Sequence, residues 1–146
     1  STGLSATWQA SRRLELGLAS AYRRSRSGNE PDLGKDLSYE EWRLRPSLEF
    51  ELPEPVLTAR VQIQLRWRSY LSDRPDDWNH FGRHDRFGRL TLELSRRLRT
   101  DLVLTTAFTH AWRSAQLDSG VTIDYDEEGS FSESVFSVGF DWRWKP

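Results

Sequence analysis

Three histidines are the first side chains to weigh for chemistry. His80 and His84 stand four apart in Asp76-Asp77-Trp78-Asn79-His80-Phe81-Gly82-Arg83-His84-Asp85, with carboxylates beside them. Histidines at that spacing grip a metal when a helix puts both on one face. Gly82 and its polar surroundings point to a loop instead, so a solvated loop is the reading and no metal site is expected. His110 and Ser114 supply the residue types of a hydrolytic pair, but neither sits in a nucleophile motif. His110 alternates with Phe108 and Trp112, which is a packing pattern. Asp124, Asp126, Glu127, Glu128 and Gly129 form an acidic stretch without the ligand spacing of a calcium hand. There is no cysteine, hence no thiolate site or disulfide, and no Gly-rich phosphate loop. The expectation is a protein with no catalytic residue, metal or cofactor, not an enzyme.

What remains is charge laid out at every second position, and that layout defines the elements carrying it. From Leu57 to Trp67, Leu57, Ala59, Val61, Ile63, Leu65 and Trp67 alternate with Thr58, Arg60, Gln62, Gln64 and Arg66, with Arg68 following. Period two over that length means a β-strand. Trp42 to Leu52 repeats it, setting Trp42, Leu44, Pro46, Leu48, Phe50 and Leu52 against Arg43, Arg45, Ser47, Glu49 and Glu51. Weaker versions run through Leu4–Ala10, Leu14–Tyr22, Arg89–Arg97 (with Glu93 on the polar side), Leu102–Trp112 and Phe136–Trp144 (with Asp141). Seven strands and no convincing helix are predicted. Short connections at Ser11–Arg12, Pro53–Pro55 and Arg97–Thr100 alternate with long polar ones at 27–38, 72–84 and 115–130. Such lengths describe an antiparallel up-and-down meander. Pro46 lacks a ladder donor in mid-strand, so a bulge or a poorly paired seam is expected there.

The apolar face meets either a protein core or lipid. Soluble strands run 5–6 residues, whereas membrane-spanning ones need about 9–11 at a tilt near 45°. Trp42–Leu52, Leu57–Trp67 and Leu102–Trp112 each advance ten positions, which at about 3.3 Å per residue and that tilt spans ~23 Å. Aromatics gather at the strand ends: Trp42, Trp67, Trp112, Tyr22 and Tyr70 toward the long loops, Trp8, Trp142 and Trp144 toward the short turns. Such placement fits two interfacial girdles. No apolar run reaches 18 residues, which excludes a transmembrane helix. Lys and Arg number 21 against 22 Asp and Glu, a formal net charge of -1 with the arginines spread along strands, so no nucleic-acid partner is expected.

The last strand, Ser137-Val138-Gly139-Phe140-Asp141-Trp142-Arg143-Trp144, resembles the β-signal of bacterial outer-membrane proteins: a polar residue, Gly two positions on, then aromatic or apolar residues at alternate positions. Lys145-Pro146 follow, where members of that family often stop on the aromatic. The hairpin pattern from Leu4 to Trp144 resembles the same family over nearly the whole chain. This resemblance implies that Gly139, Phe140, Trp142 and Trp144 are read by the barrel-assembly machinery, and that the last strand closes a barrel. It also implies outer-membrane localisation in a Gram-negative envelope, with outer-membrane lipid as partner. Such barrels have even strand counts, so seven strands suggest further ones before Ser1. Residues 1–146 are then the barrel domain or the C-terminal part of one.

The expected fold is an all-β, antiparallel transmembrane barrel acting as a pore or scaffold. Arg43, Arg45, Glu49, Glu51, Arg60, Gln62, Gln64, Arg66, Arg68, Arg89, Glu93, Arg97 and Asp141 would line its interior, which either closes by ion pairing or admits anions. Two alternatives remain: the membrane anchor of an envelope assembly or secretion complex with a protein partner, and a soluble β-sandwich binding module.

Overall fold

Period two becomes seven strands: β1 (Thr2–Ser11), β2 (Leu14–Ser25), β3 (Tyr39–Leu52), β4 (Leu57–Tyr70), β5 (Arg83–Arg99), β6 (Leu102–Leu117) and β7 (Phe131–Trp142). The structure, a computed structural model, describes residues 1–26, 38–52, 57–73, 77, 80–117 and 130–142. The expected turn at Pro53–Pro55, most of the three long connections, the acidic stretch Asp124–Gly129, and Arg143 and Trp144 lie outside the described residues. All seven strands form one antiparallel sheet in the order β1-β2-β3-β4-β5-β6-β7, each paired with its neighbours in sequence. The all-β meander is therefore as expected.

Closure is not. β1 and β7 make no contact with each other, and every residue of both is exposed. With seven alternating strands, β1 and β7 run in the same direction, so only a parallel ladder could join them, and none forms. A β-sandwich would need a second layer, and all described strands belong to a single sheet. Among the described residues Ala111 is the only buried hydrophobic side chain, while Ser38, Glu41, Ser72, Asp77 and Asp85 are buried. Shelter is found on the charged face, and the apolar face is left uncovered.

Pro46 produces no bulge; of the two expected outcomes it gives the poorly paired seam. The β2–β3 and β3–β4 registers are constant from end to end, but β4 loses its pairs Arg45·Gln64 and Pro46·Ile63. One missing N–H aimed at β4 accounts for both, because that donor would close the pair with Ile63 and flank the pair before it. Register shifts occur instead beside two short turns, between Gln9 and Ser11 and between Arg97 and Arg99.

Candidate functional site

Strand pairing sorts side chains into cross-strand rows, and each row belongs to one face. On the apolar face, Tyr22, Trp42, Trp67 and Arg86 form one row across β2 to β5. The rings of Tyr22 and Trp42 meet at 4.9 Å, and Trp42 is 56% exposed. Four rows nearer the short turns contain Leu44, Leu65, Leu90, Leu16, Leu48, Val61, Leu92, Phe108 and similar residues, with no Asp, Glu, Lys or Arg among the described residues. The next row holds Leu52, Leu57, Arg96, Leu104 and Phe140. Charge thus reappears on this face at Arg86 and Arg96, ten residues apart on β5.

Toward the short turns the aromatics do not share a row. Trp8 pairs with Leu16, Phe50 with Leu14 and Trp142 with Leu102, each successive row lying further on. Gly88 pairs with Trp112, whose indole lies so close that a Cβ on Gly88 would fall 2.0 Å from it. His110 stacks on the same indole at 5.6 Å, and its Nδ1 lies 2.9 Å from Ser134 Oγ. His110 and Ser114 are four residues apart on one extended strand, about 13 Å, too far for a catalytic pair. Gly139, Phe140 and Trp142 sit on the free edge strand, where Trp142 Nε1 donates to Asp101 at 3.0 Å.

One expected interfacial ring lies elsewhere. Tyr70 shares parity with Gln64, Arg66 and Arg68 and so falls on the charged face, 4.9 Å from the His80 ring and 6.4 Å from Tyr39. His80 and His84 have separate partners: His80 Nδ1 lies 2.8 Å from Asp77 Oδ1, and His84 Nδ1 3.0 Å from Ser69 Oγ.

The thirteen residues expected to line an interior share one face of the open sheet, and that face is divided along the strands. Nearest the long connections run two rows: Arg23, Glu41, Arg68 and Asp85, then Arg43, Arg66, Phe87 and Arg113. A third contains Arg45, Gln64, Arg89 and Glu133. Together these rows set seven arginines against three carboxylates. A neutral belt of Ser47, Gln62, Thr91 and Thr109 follows. Beyond it, Glu15, Glu49, Arg60 and Glu93 form an acidic row, with Glu51 in the next. Arg97 and Asp141 flank Val103 at the end. Glu49 accepts from Arg60 at 2.9 and 2.6 Å, a pair between adjacent strands and not across an interior.

The tightest part of this face was not expected from composition or spacing. Glu41 has no exposed surface; it accepts from Arg43 Nε and from Arg68 at 2.9 and 2.6 Å, and Arg66 Nε lies 3.8 Å away. Asp85 accepts from Arg83 Nε at 2.9 Å and from Arg113 Nη2. Aromatic rings hold the guanidinium groups in place: Arg68 lies 4.2 Å over Tyr39, Arg83 5.7 Å over Tyr70 and Arg66 4.7 Å over Phe87. Such stacking and multiple pairing offset the cost of taking a carboxylate out of water. Arg43, Arg66 and Arg68 are among the expected lining residues; the carboxylates Glu41 and Asp85 are not, though parity carried one step past Trp42 reaches Glu41.

Compared with known proteins, the chain matches no family model, no curated protein and no solved structure.

Proposed function

We propose that this chain is a bilayer-spanning β-sheet of a Gram-negative outer-membrane barrel, acting as a pore or scaffold with its charged face turned inward. The observation that carries the reading is the uncovered apolar band bounded by Arg86 and Arg96. Ten residues at about 3.3 Å, inclined 35–45°, stand about 23–27 Å high, against an apolar band of ~25 Å in such barrels. Arginines at its two edges can reach headgroups while their stems stay in the band. Left in water, Leu4, Trp8, Leu92, Leu94, Phe136 and Phe140 would be part of an exposed patch beyond what soluble monomers carry. The terminal pattern around Gly139 and Trp142 supports insertion by the barrel-assembly machinery. A second reading, the anchor of an envelope assembly, draws on the two free edges, where a partner's strand can add.

The test is refolding from urea with and without detergent, followed by heat-sensitive gel migration. Cooperative folding only with the amphiphile is expected. A monodisperse, cooperatively folded monomer in plain buffer overturns the membrane reading.

A further inference from the structure

The basic zone of the charged face is not neutralised by its own carboxylates. Glu41 is engaged by Arg43 and Arg68, and Asp85 by Arg83 and Arg113. Of the seven arginines in the three basic rows, Arg23, Arg45 and Arg89 have no ion pair among the described residues, and Arg66 reaches Glu41 only at 3.8 Å, beyond hydrogen-bond distance. The Arg66 and Arg89 guanidinium groups lie against one ring, Phe87, at 4.7 and 5.6 Å from its centroid. Phe87 shares its row with Phe131, 6.4 Å away, and braces its two arginines as Tyr39 and Tyr70 brace theirs. Stacking occupies the flat face of a guanidinium and leaves the N–H edge unused. Gln64 completes the group: it is in register with Arg89 and two residues from Arg66 on β4. Arg66, Gln64, Arg89 and Phe87 therefore occupy four adjoining positions, with donors on three corners and no carboxylate among them. Glu133 is the single carboxylate in Gln64's row, two strands beyond Arg89.

We propose that Arg66, Arg89 and Gln64, braced by Phe87, form a binding site for an oxyanion of the phosphate or sulfate class, free or carried on a small solute. Two forked guanidinium groups match the edges of a tetrahedral dianion, and each fork can give two parallel hydrogen bonds. The surplus of arginine over carboxylate in the three surrounding rows favours a dianion over chloride, which has one charge and no fork to match. The acidic row on the far side of the neutral belt confines that preference to one end of the face. The proposal rests on reading the charged face as the lined interior.

The probe is inorganic phosphate, titrated calorimetrically into the folded full chain against chloride at equal ionic strength. Saturable phosphate binding is expected, weakened about tenfold or more by Arg66→Gln with Arg89→Gln. Arg66→Lys, which keeps the charge and loses the fork, should fall between; Arg12→Gln in the β1–β2 turn should bind as wild type. Should the double variant fail to fold, Arg89→Gln alone carries the comparison. Phosphate that binds no better than chloride, or binds equally to the Arg89 variant, overturns the site. A chain that folds only in detergent yet ignores phosphate removes this proposal and leaves the membrane reading standing. A chain that folds in buffer and binds phosphate overturns the membrane reading and keeps the oxyanion site only as a site on the charged face, without a lined interior.

Discussion

Glu41 shows how much of this molecule's order resides on the charged face of the sheet. Its carboxylate is enclosed by Arg43, Arg66 and Arg68 and has no exposed surface. Removing its charge leaves three guanidinium groups crowded together without a counter-ion, and losing one member of such a buried set costs about 3–5 kcal/mol. Glu93 differs: it stands in register beside Arg60, but Arg60 is held by Glu49. Exposed pairs of that kind contribute ~1 kcal/mol or less. Glu41→Gln should therefore lower the urea midpoint far more than Glu93→Gln, in whichever medium the chain folds. Equal shifts would remove the Glu41 cluster as an anchor of the fold. Residue parity could have located that cluster from sequence, since Trp42 on one face places Glu41 and Arg43 on the other. The same rule places Tyr70 on the charged face, where grouping rings by their nearness to strand ends does not.

At the level of elements, β3 and β4 were legible because their alternation is unbroken over eleven residues, and the sheet pairs them almost row for row. β5 was legible only in its middle. Arg86 and Gly88 interrupt the apolar alternation at one end and Arg96 at the other, yet the strand runs from Arg83 to Arg99. Its ladder partners on β4 and β6 continue through those positions, and the Trp112 indole fills the space a side chain at Gly88 would take. Pairing overrode pattern. β4 also offers the sharpest measure of what its apolar face meets. If that face meets acyl chains, arginine at Ile63, in mid-band, costs about 2–4 kcal/mol, and arginine at Leu57, on the edge row, about 0–1. The unfolding free energies of Ile63→Arg and Leu57→Arg in lipid or detergent give the comparison. Equal penalties at the two depths would mean that the face is not graded by a bilayer.

For the whole molecule, the sequence foretold one meandering sheet but not its open state, because alternation describes each strand's faces and carries no information about a seam. The stepped aromatics on the apolar face have a geometric consequence. From Trp8 on β1 to Phe50 on β3 the line advances from the row of Leu16 to that of Leu14, two residues over two strands. From Phe50 to Trp142 on β7 it advances from the row of Thr106 to that of Leu102, four residues over four strands. The slip is one residue per strand throughout. A rise of about 3.3 Å for every ~4.8 Å of lateral spacing sets an angle of about 35° between this line and the hydrogen-bonded rows. If the sheet spans a bilayer with these rings level at one interface, its strands lean from the normal by that angle, within reach of the 35–45° of spanning barrels. Polarised infrared spectroscopy of the protein in oriented bilayers should then report a mean strand inclination near 35°. Upright strands would leave Trp8 and Trp142 about 20 Å apart in depth, six residues of rise, and only one of them could lie at the membrane surface.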